Sequence, residues 1–174
     1  MSENYKFDTL FLDRDGVINV HRPDDYVKNW NEFIFEANVP EAIKIISGYF
    51  KRIIIVTNQR GVGKGIMSEE ELRNIHDKMC EIIISHGGKI DAVYYCTDKD
   101  ENSPDRKPNT GMGLQARKDF PDIDFSRSYM VGDSPSDMEF GRRLGMNTVW
   151  IKKDPGIDSL MDFAEMIINN HLLP

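Results

Sequence analysis

Cysteine is scarce in this 174-residue chain. Its two cysteines, Cys80 and Cys96, are too few for a disulfide framework. No apolar run reaches the roughly 20 residues that cross a bilayer, so no membrane partner is expected. Positive charge is also in deficit, with 22 Lys and Arg against 29 Asp and Glu. The resulting net charge of −7 argues against non-specific nucleic-acid binding as the main activity. There is no repeat and no low-complexity tract. The opening residues Met1-Ser2-Glu3-Asn4-Tyr5-Lys6 lack the apolar core of a targeting signal, and the chain is expected to be cytoplasmic. Its length, with 40% hydrophobic and 29% charged residues, suits one soluble globular domain over residues 1–174, expected to act as a monomer.

What is present is an alternation of short apolar runs and helical patterns. Strands are expected at Leu10–Leu12, Arg52–Thr57, Ala92–Cys96, Tyr129–Val131 and Thr148–Ile151. The run Ile53-Ile54-Ile55-Val56 is apolar throughout, as in a strand covered on both faces. Helices are expected at Pro40–Ser47, from Ser68 onward, and at Gly111–Phe120, Ser136–Leu144 and Ser159–Ile168. Ser68-Glu69-Glu70-Glu71 reads as a capping box. Leu72, Ile75, Met79, Ile82 and Ile83 follow it at helical spacing. The alternation predicts an α/β fold, a Rossmann-like three-layer sandwich with a mainly parallel central sheet. No segment is long enough for a large cap, so the cap is minimal and made of loops. The tail from Asp158 to Pro174 reads as an amphipathic packing helix.

In such a sheet ligands bind beyond the C-terminal strand ends, and those ends carry the chemistry. The first gives Asp13-Arg14-Asp15-Gly16, two acids two residues apart before a turn. The second gives Thr57-Asn58-Gln59. The loop after the third contains Asp105-Arg106-Lys107-Pro108. The fourth gives Gly132-Asp133-Ser134-Pro135-Ser136-Asp137. Paired acids need a compensating cation or a shared proton. Acids, a hydroxyl, an amide and a lysine together suit phosphoryl transfer: a carboxylate attacks phosphorus, and a divalent cation offsets the charge and polarises an oxygen. An all-oxygen ligand set favours Mg²⁺.

These four motifs, in this order from about Thr9 to Ile151, resemble the haloacid dehalogenase superfamily of aspartate-nucleophile phosphatases. The resemblance implies that Asp13 is the nucleophile and that Asp15 protonates the leaving alcohol and then activates water. It implies a Mg²⁺ held by the Asp13 carboxylate, the Asp15 backbone carbonyl and Asp133. Thr57 and Asn58 would receive phosphoryl oxygens, and Lys107 would bind phosphate. Asp137 would reach Lys107 or a water on the metal. The runs Phe11–Asn19, Val56–Gly65, Tyr94-Tyr95-Cys96 and Arg106-Lys107-Pro108, with Tyr26-Val27 and Glu32-Phe33, resemble most the D-glycero-D-manno-heptose 1,7-bisphosphate phosphatases, whose pattern histidinol-phosphate phosphatases largely share. In that branch three loops select the substrate, here His21–Asn31, Arg60–Gly65 and Thr97–Arg106. A remote phosphate would meet Arg60, Lys64 and Arg106, with Gly61, Gly63 and Gly65 allowing close backbone approach.

The third loop departs from the family. Many relatives bind zinc there through three Cys and a His. Here Cys96 stands alone, Asp98 takes the histidine's place, and no Cys follows before Arg106. One thiolate with scattered carboxylates is not a tetrahedral zinc site, so no zinc is expected. Cys80, Cys96, His76, His86 and His171 read as packing or surface residues, and His21 lies in the first loop, equally suited to touching substrate or solvent. The expected reaction is Mg²⁺-dependent hydrolysis of a small phosphorylated sugar, with heptose 1,7-bisphosphate cut at the 7-phosphate. The alternatives are histidinol phosphate, a nucleic-acid 3′-phosphate, or a non-catalytic phosphosugar-binding relative.

Overall fold

The computed structural model describes residues 5–171. Five strands form one sheet: β1 (Phe7–Leu12), β2 (Phe50–Asn58), β3 (Ala92–Cys96), β4 (Tyr129–Gly132) and β5 (Asn147–Trp150), in the order β3-β2-β1-β4-β5. Every pairing is parallel. All five expected strands are present, and the first two start earlier than expected. Phe7 pairs with Phe50, so each strand gains residues below the continuous apolar core.

The helices are α1 (Val39–Ile46), α2 (Arg60–Gly63), α3 (Glu69–Ser85), α4 (Gly111–Asp119), α5 (Pro135–Leu144) and α6 (Leu160–Ile168). Strand alternation splits the core into two layers. Leu10, Leu12, Ile53 and Ile55 face the buried sides of α1, α3 and α6. Phe11, Ile54 and Val56 face α4 and α5. Among the described residues no helix is long and apolar enough to cross a membrane. The tail helix packs through Phe163, whose ring lies 6.4 Å from Phe50 and 6.2 Å from Tyr129. Residues 172–174 of the expected tail lie outside the described residues.

Capping chemistry corrects one expectation. Ser68 Oγ accepts from the Glu71 N–H at 3.1 Å, but the reciprocal capping box forms at α5, between Ser134 and Asp137. The short helix α2 was not expected, because Arg60-Gly61-Val62-Gly63 has too little apolar periodicity to announce four helical residues.

Strand order places β1 between β2 and β4, so the chain leaves the central strand to one side and later returns on the other. That arrangement is the switch point of an open α/β sheet, where a cleft opens at the strand ends. Two long segments rise from this edge, residues 13–38 and 97–110. Apart from isolated bridges of Asn19 to Asp15 and Phe35, their one regular element is a three-residue 3₁₀ turn, Trp30–Glu32, so loops serve as the cap.

On α3, His76 is buried with Leu72, Ile75, Met79 and Ile83. Its Nε2 lies 3.1 Å from Nη1 of Arg14. Burial, followed by the Arg14 charge, pushes the imidazole down from 6.5 to about 3, with Asp15 opposing.

Two outcomes follow from this packing. Phe163→Ala is expected to cost about 3–5 kcal/mol, read as a lower urea midpoint with an unchanged slope. The unfolded chain binds a proton at His76 below about pH 6.5, whereas the folded one does so only near pH 3. His76 therefore leaves stability intact above pH 6.5 and removes it as pH falls toward 3, by at most about 1.4 kcal/mol per pH unit. Urea melts across that window should show a shallower acid loss in His76→Gln.

Candidate active site

The cleft at the strand ends has a volume of about 400 Å³ and is walled by Asp13, Asp15, Lys107, Asp133 and Asp137, together with the first loop from His21 to Val27. Asp13 directly follows β1. Its N–H donates to the Val131 carbonyl at 3.0 Å, carrying the β1–β4 pairing one residue past the strand and setting Asp13 beside the Gly132–Asp133 end. The chain then turns at Gly16, whose φ is +86° and where a Cβ would collide with the Asp133 carboxylate. Only glycine serves here, for conformation and for space. Gly132 is closed to a side chain in the same way by Asp137.

Lys107 is the centre of the cluster. Its side chain is 2% exposed, and Nζ donates to Asp13 Oδ1 at 2.8 Å, to Asp137 Oδ1 at 2.6 Å and to the Val56 carbonyl at 2.8 Å. These contacts account for all three ammonium protons. The Asn58 carboxamide fixes the lysine from the other side: Oδ1 accepts from the Lys107 N–H and Nδ2 donates to the Lys107 carbonyl, both at 3.0 Å. Asp137 Oδ2 accepts from the N–H groups of Asp133 and Ser134 and from Ser134 Oγ. Of its two expected reaches, the structure makes the one to Lys107.

Carboxylate oxygens of Asp13, Asp133 and Asp137 lie within 4.8 Å of one another. Burial, and then the charge of Asp137, raises Asp13 well above the usual carboxylate range, against the pull of Lys107. The same two causes, in the same order, raise Asp133. Burial works against Lys107, yet Asp13 and Asp137 outweigh it and raise the ammonium's pKa. Three acids thus share one ammonium, an excess of negative charge in a poorly solvated space. An oxygen-only cluster of that charge fits a hard divalent cation.

Asp15 is held differently, with both side-chain oxygens engaged. Oδ1 accepts from Arg14 Nη2 at 2.8 Å and Asn19 Nδ2 at 3.0 Å, and Oδ2 accepts from Gln59 Nε2 at 2.8 Å. Burial alone would raise its pKa, but Arg14 and these bonds bring it below the usual range. Arg14, Asn19 and Gln59 escaped the sequence reading. Arg14 lines the cleft between the two acids, and no local pattern announces its bond to Asp15.

Other expected residues are not brought to the cleft wall. Thr57 is fully buried and its Oγ1 accepts from Gln59 Nε2 at 2.9 Å. Arg60 pairs with Glu101 at 3.1 Å. Lys64 Nζ sits 5.6 Å from the Tyr26 ring centroid. Arg106 is half-buried, and its Nη1 is enclosed without a hydrogen-bond partner. Gly61 packs under the Tyr26 ring and Gly63 against the Thr97 carbonyl, while Gly65 faces open space. These glycines pack loops together and do not line the cleft. Besides Arg14 and Lys107, the basic residues on the wall are His21 and Arg22, with Arg22 bound to Asp25 at 2.9 Å.

In the third loop Cys96 Sγ lies 3.9 Å from Ser103 Oγ. The Asp98 and Asp100 side chains accept from backbone N–H groups two residues on, making Asx turns.

The family model described as polynucleotide kinase 3 phosphatase matches residues 5–167. The chain is 36% identical over 169 residues to a D-glycero-alpha-D-manno-heptose-1,7-bisphosphate 7-phosphatase from Burkholderia mallei, covering 92% of this chain and 88% of that protein. It is 35% identical over 144 residues to a D-glycero-beta-D-manno-heptose-1,7-bisphosphate 7-phosphatase from Rhodopseudomonas palustris, covering 78% of each. Among solved structures, the D,D-heptose 1,7-bisphosphate phosphatase from B. bronchiseptica, complexed with magnesium and phosphate, superposes with a TM-score of 0.83 at 27% identity, over 94% of this chain and 99% of that one. With its β1 and β4 acids gathered around Lys107 at the switch point, the chain belongs to the polynucleotide kinase 3 phosphatase family, among the phosphatases of the haloacid dehalogenase type.

Proposed function

We propose that this phosphatase is a Mg²⁺-dependent phosphomonoesterase that removes the 7-phosphate of D-glycero-D-manno-heptose 1,7-bisphosphate through an aspartyl-phosphate on Asp13. The observation that carries the chemistry is the cluster of Asp13, Asp133 and Asp137 around one buried ammonium. The substrate follows from the names of relatives that the chain matches over most of their length.

The acids fit a divalent cation because burial and like charge leave both Asp13 and Asp133 short of compensation. The Asp13 and Asp133 carboxylates and the Asp15 carbonyl would hold Mg²⁺, which offsets charge and polarises a phosphoryl oxygen. Asp13 attacks phosphorus through a carboxylate oxygen, while Lys107 keeps that side chain aimed and lowers the cost of its charge. Asp15, held below the usual carboxylate range in the free site, would take up a proton from solvent as the substrate's negative charge comes to lie beside it, and gives that proton to the departing alcohol oxygen. As a carboxylate it then takes a proton from the water that attacks the aspartyl-phosphate, which frees Asp13 and releases phosphate. Asn58 and Asp137 act through Lys107, by fixing its backbone and its ammonium. The Thr97–Thr110 loop holds its shape by Asx turns and the Cys96–Ser103 contact, with no zinc in this reading. The acidic net charge and the loop-only cap support a small sugar phosphate over nucleic acid, with the protein acting as a cytoplasmic monomer.

The test is kcat/KM, with and without Mg²⁺, for both heptose bisphosphate anomers, histidinol phosphate and a 3′-phosphorylated oligonucleotide. Heptose bisphosphate should lead, chelation should abolish turnover, and Asp13→Asn should lose at least about 10³-fold. A lead for histidinol phosphate or the oligonucleotide would replace the substrate and keep the mechanism. Turnover surviving in Asp13→Asn would remove the covalent step. Elemental analysis of the purified protein should find no stoichiometric zinc, and one zinc per chain would contradict the reading of the third loop.

A further inference from the structure

The most expensive side chain in this fold is Arg14. It is fully buried, and among the described residues its Nε has no hydrogen-bond partner and its one ion pair is with Asp15 at 2.8 Å. A buried ion pair of this kind seldom stabilises a fold more than apolar residues of similar volume, and an enclosed unpaired N–H adds a further cost. The arrangement therefore needs a reason other than stability.

Its geometry supplies one. A guanidinium is a rigid planar fork, and two nitrogens of this fork are engaged in opposite directions. Nη1 meets His76 Nε2 at 3.1 Å and Nη2 meets Asp15 Oδ1 at 2.8 Å. Nη1 can only donate, so His76 Nε2 is the acceptor and its proton sits on Nδ1. The imidazole is neutral, in keeping with its burial beside a cation. His76 is itself fixed on the 17-residue α3, with the Tyr95 ring 5.5 Å away. The Asp15 carboxylate is thus tethered, through Arg14, to the most extended helix of the fold. Oδ1 is occupied by Arg14 and Asn19, whereas Oδ2 has the single partner Gln59, which also lines the cleft.

We propose that His76 is a positioning residue of the reaction: it orients Arg14, which pins Oδ1 of Asp15 and leaves Oδ2 as the oxygen that moves the proton. The inference rests on the reading of Asp15 as the acid and base of the proposed function. A merely structural histidine would affect folding and all substrates alike. A positioning histidine affects most the step that needs a proton.

The experiment compares kcat/KM for a primary alkyl phosphate and for p-nitrophenyl phosphate. This parameter covers the reaction up to departure of the alcohol, and p-nitrophenolate leaves without protonation whereas an alkoxide does not. In His76→Leu, the alkyl phosphate should lose about tenfold or more, and the aryl phosphate less than about threefold. His76→Gln, whose carboxamide oxygen can accept from Arg14, should recover most of the difference. Equal losses for both substrates, or no recovery in His76→Gln, would overturn the inference while leaving the phosphatase reading intact. If His76→Leu does not fold, His76→Phe, which keeps a ring beside Tyr95 and lacks the acceptor, takes its place. Failure of both to fold makes the role structural and also overturns it. The primary alkyl phosphate used is heptose 1,7-bisphosphate, and wild-type protein that hydrolyses neither it nor the aryl phosphate overturns the proposed function itself.

Discussion

The structure turns on one buried ammonium. Lys107 Nζ is shared by the end of β1 through Asp13, by β2 through the Val56 carbonyl, and by the first turn of α5 through Asp137. Each acceptor comes from a different element, so the lysine fixes their relative positions as well as their charge. None of the three could stay buried and unpaired at small cost. The constraint works outward from there. Asn58 takes both the backbone N–H and the carbonyl of Lys107, and Asp137 spends its second oxygen on capping α5. The helix start, the loop and two strand ends therefore depend on one another through a single side chain.

Much of this was legible in the sequence. Continuous apolar runs gave the five strands, because a doubly covered strand has no polar face to show. The rule that ligands gather at the C-terminal strand ends brought Asp13, Lys107 and Asp133 to one place, although Asp13 and Lys107 are 94 residues apart. What the sequence could not give was the direction of side chains in irregular segments. Arg60, Lys64 and Arg106 were chosen for lying near a strand end, but local partners settle where such side chains go. Glu101 takes Arg60 and the Tyr26 ring lies by Lys64. Inside a strand, the Thr57 hydroxyl accepts from Gln59 and keeps its own proton to donate. His76 had the spacing of a core residue and is one. Its contact with Arg14 crosses 62 residues between a helix and a strand end, a relation no local pattern encodes.

The two acids of Asp13-Arg14-Asp15-Gly16 illustrate how one short run serves opposite electrostatic ends. Asp13 lies among like charges and burial pushes it up, whereas Asp15 lies among donors that hold it down. Residues two apart normally share a face, and both carboxylates do line the cleft. The turn at Gly16 and the intervening Arg14 separate their surroundings within a few ångströms. Gly16 further yields space to the Asp133 carboxylate, so the residue that turns the chain also completes the acidic cluster.

That cluster bears on what the site can bind. Asp13, Asp133 and Asp137 face the single ammonium of Lys107, and burial with like charge makes it costly to ionise them together without a compensating cation or a shared proton. A phosphate monoester arriving as a dianion would meet repulsion in a cleft where low solvation strengthens it. Lys107 already donates its three protons to Asp13, Asp137 and Val56, so meeting a phosphate would mean exchanging one of these contacts. A divalent cation held by the acids would offset that charge, while the three contacts of Lys107 keep Asp13 and Asp137 in place.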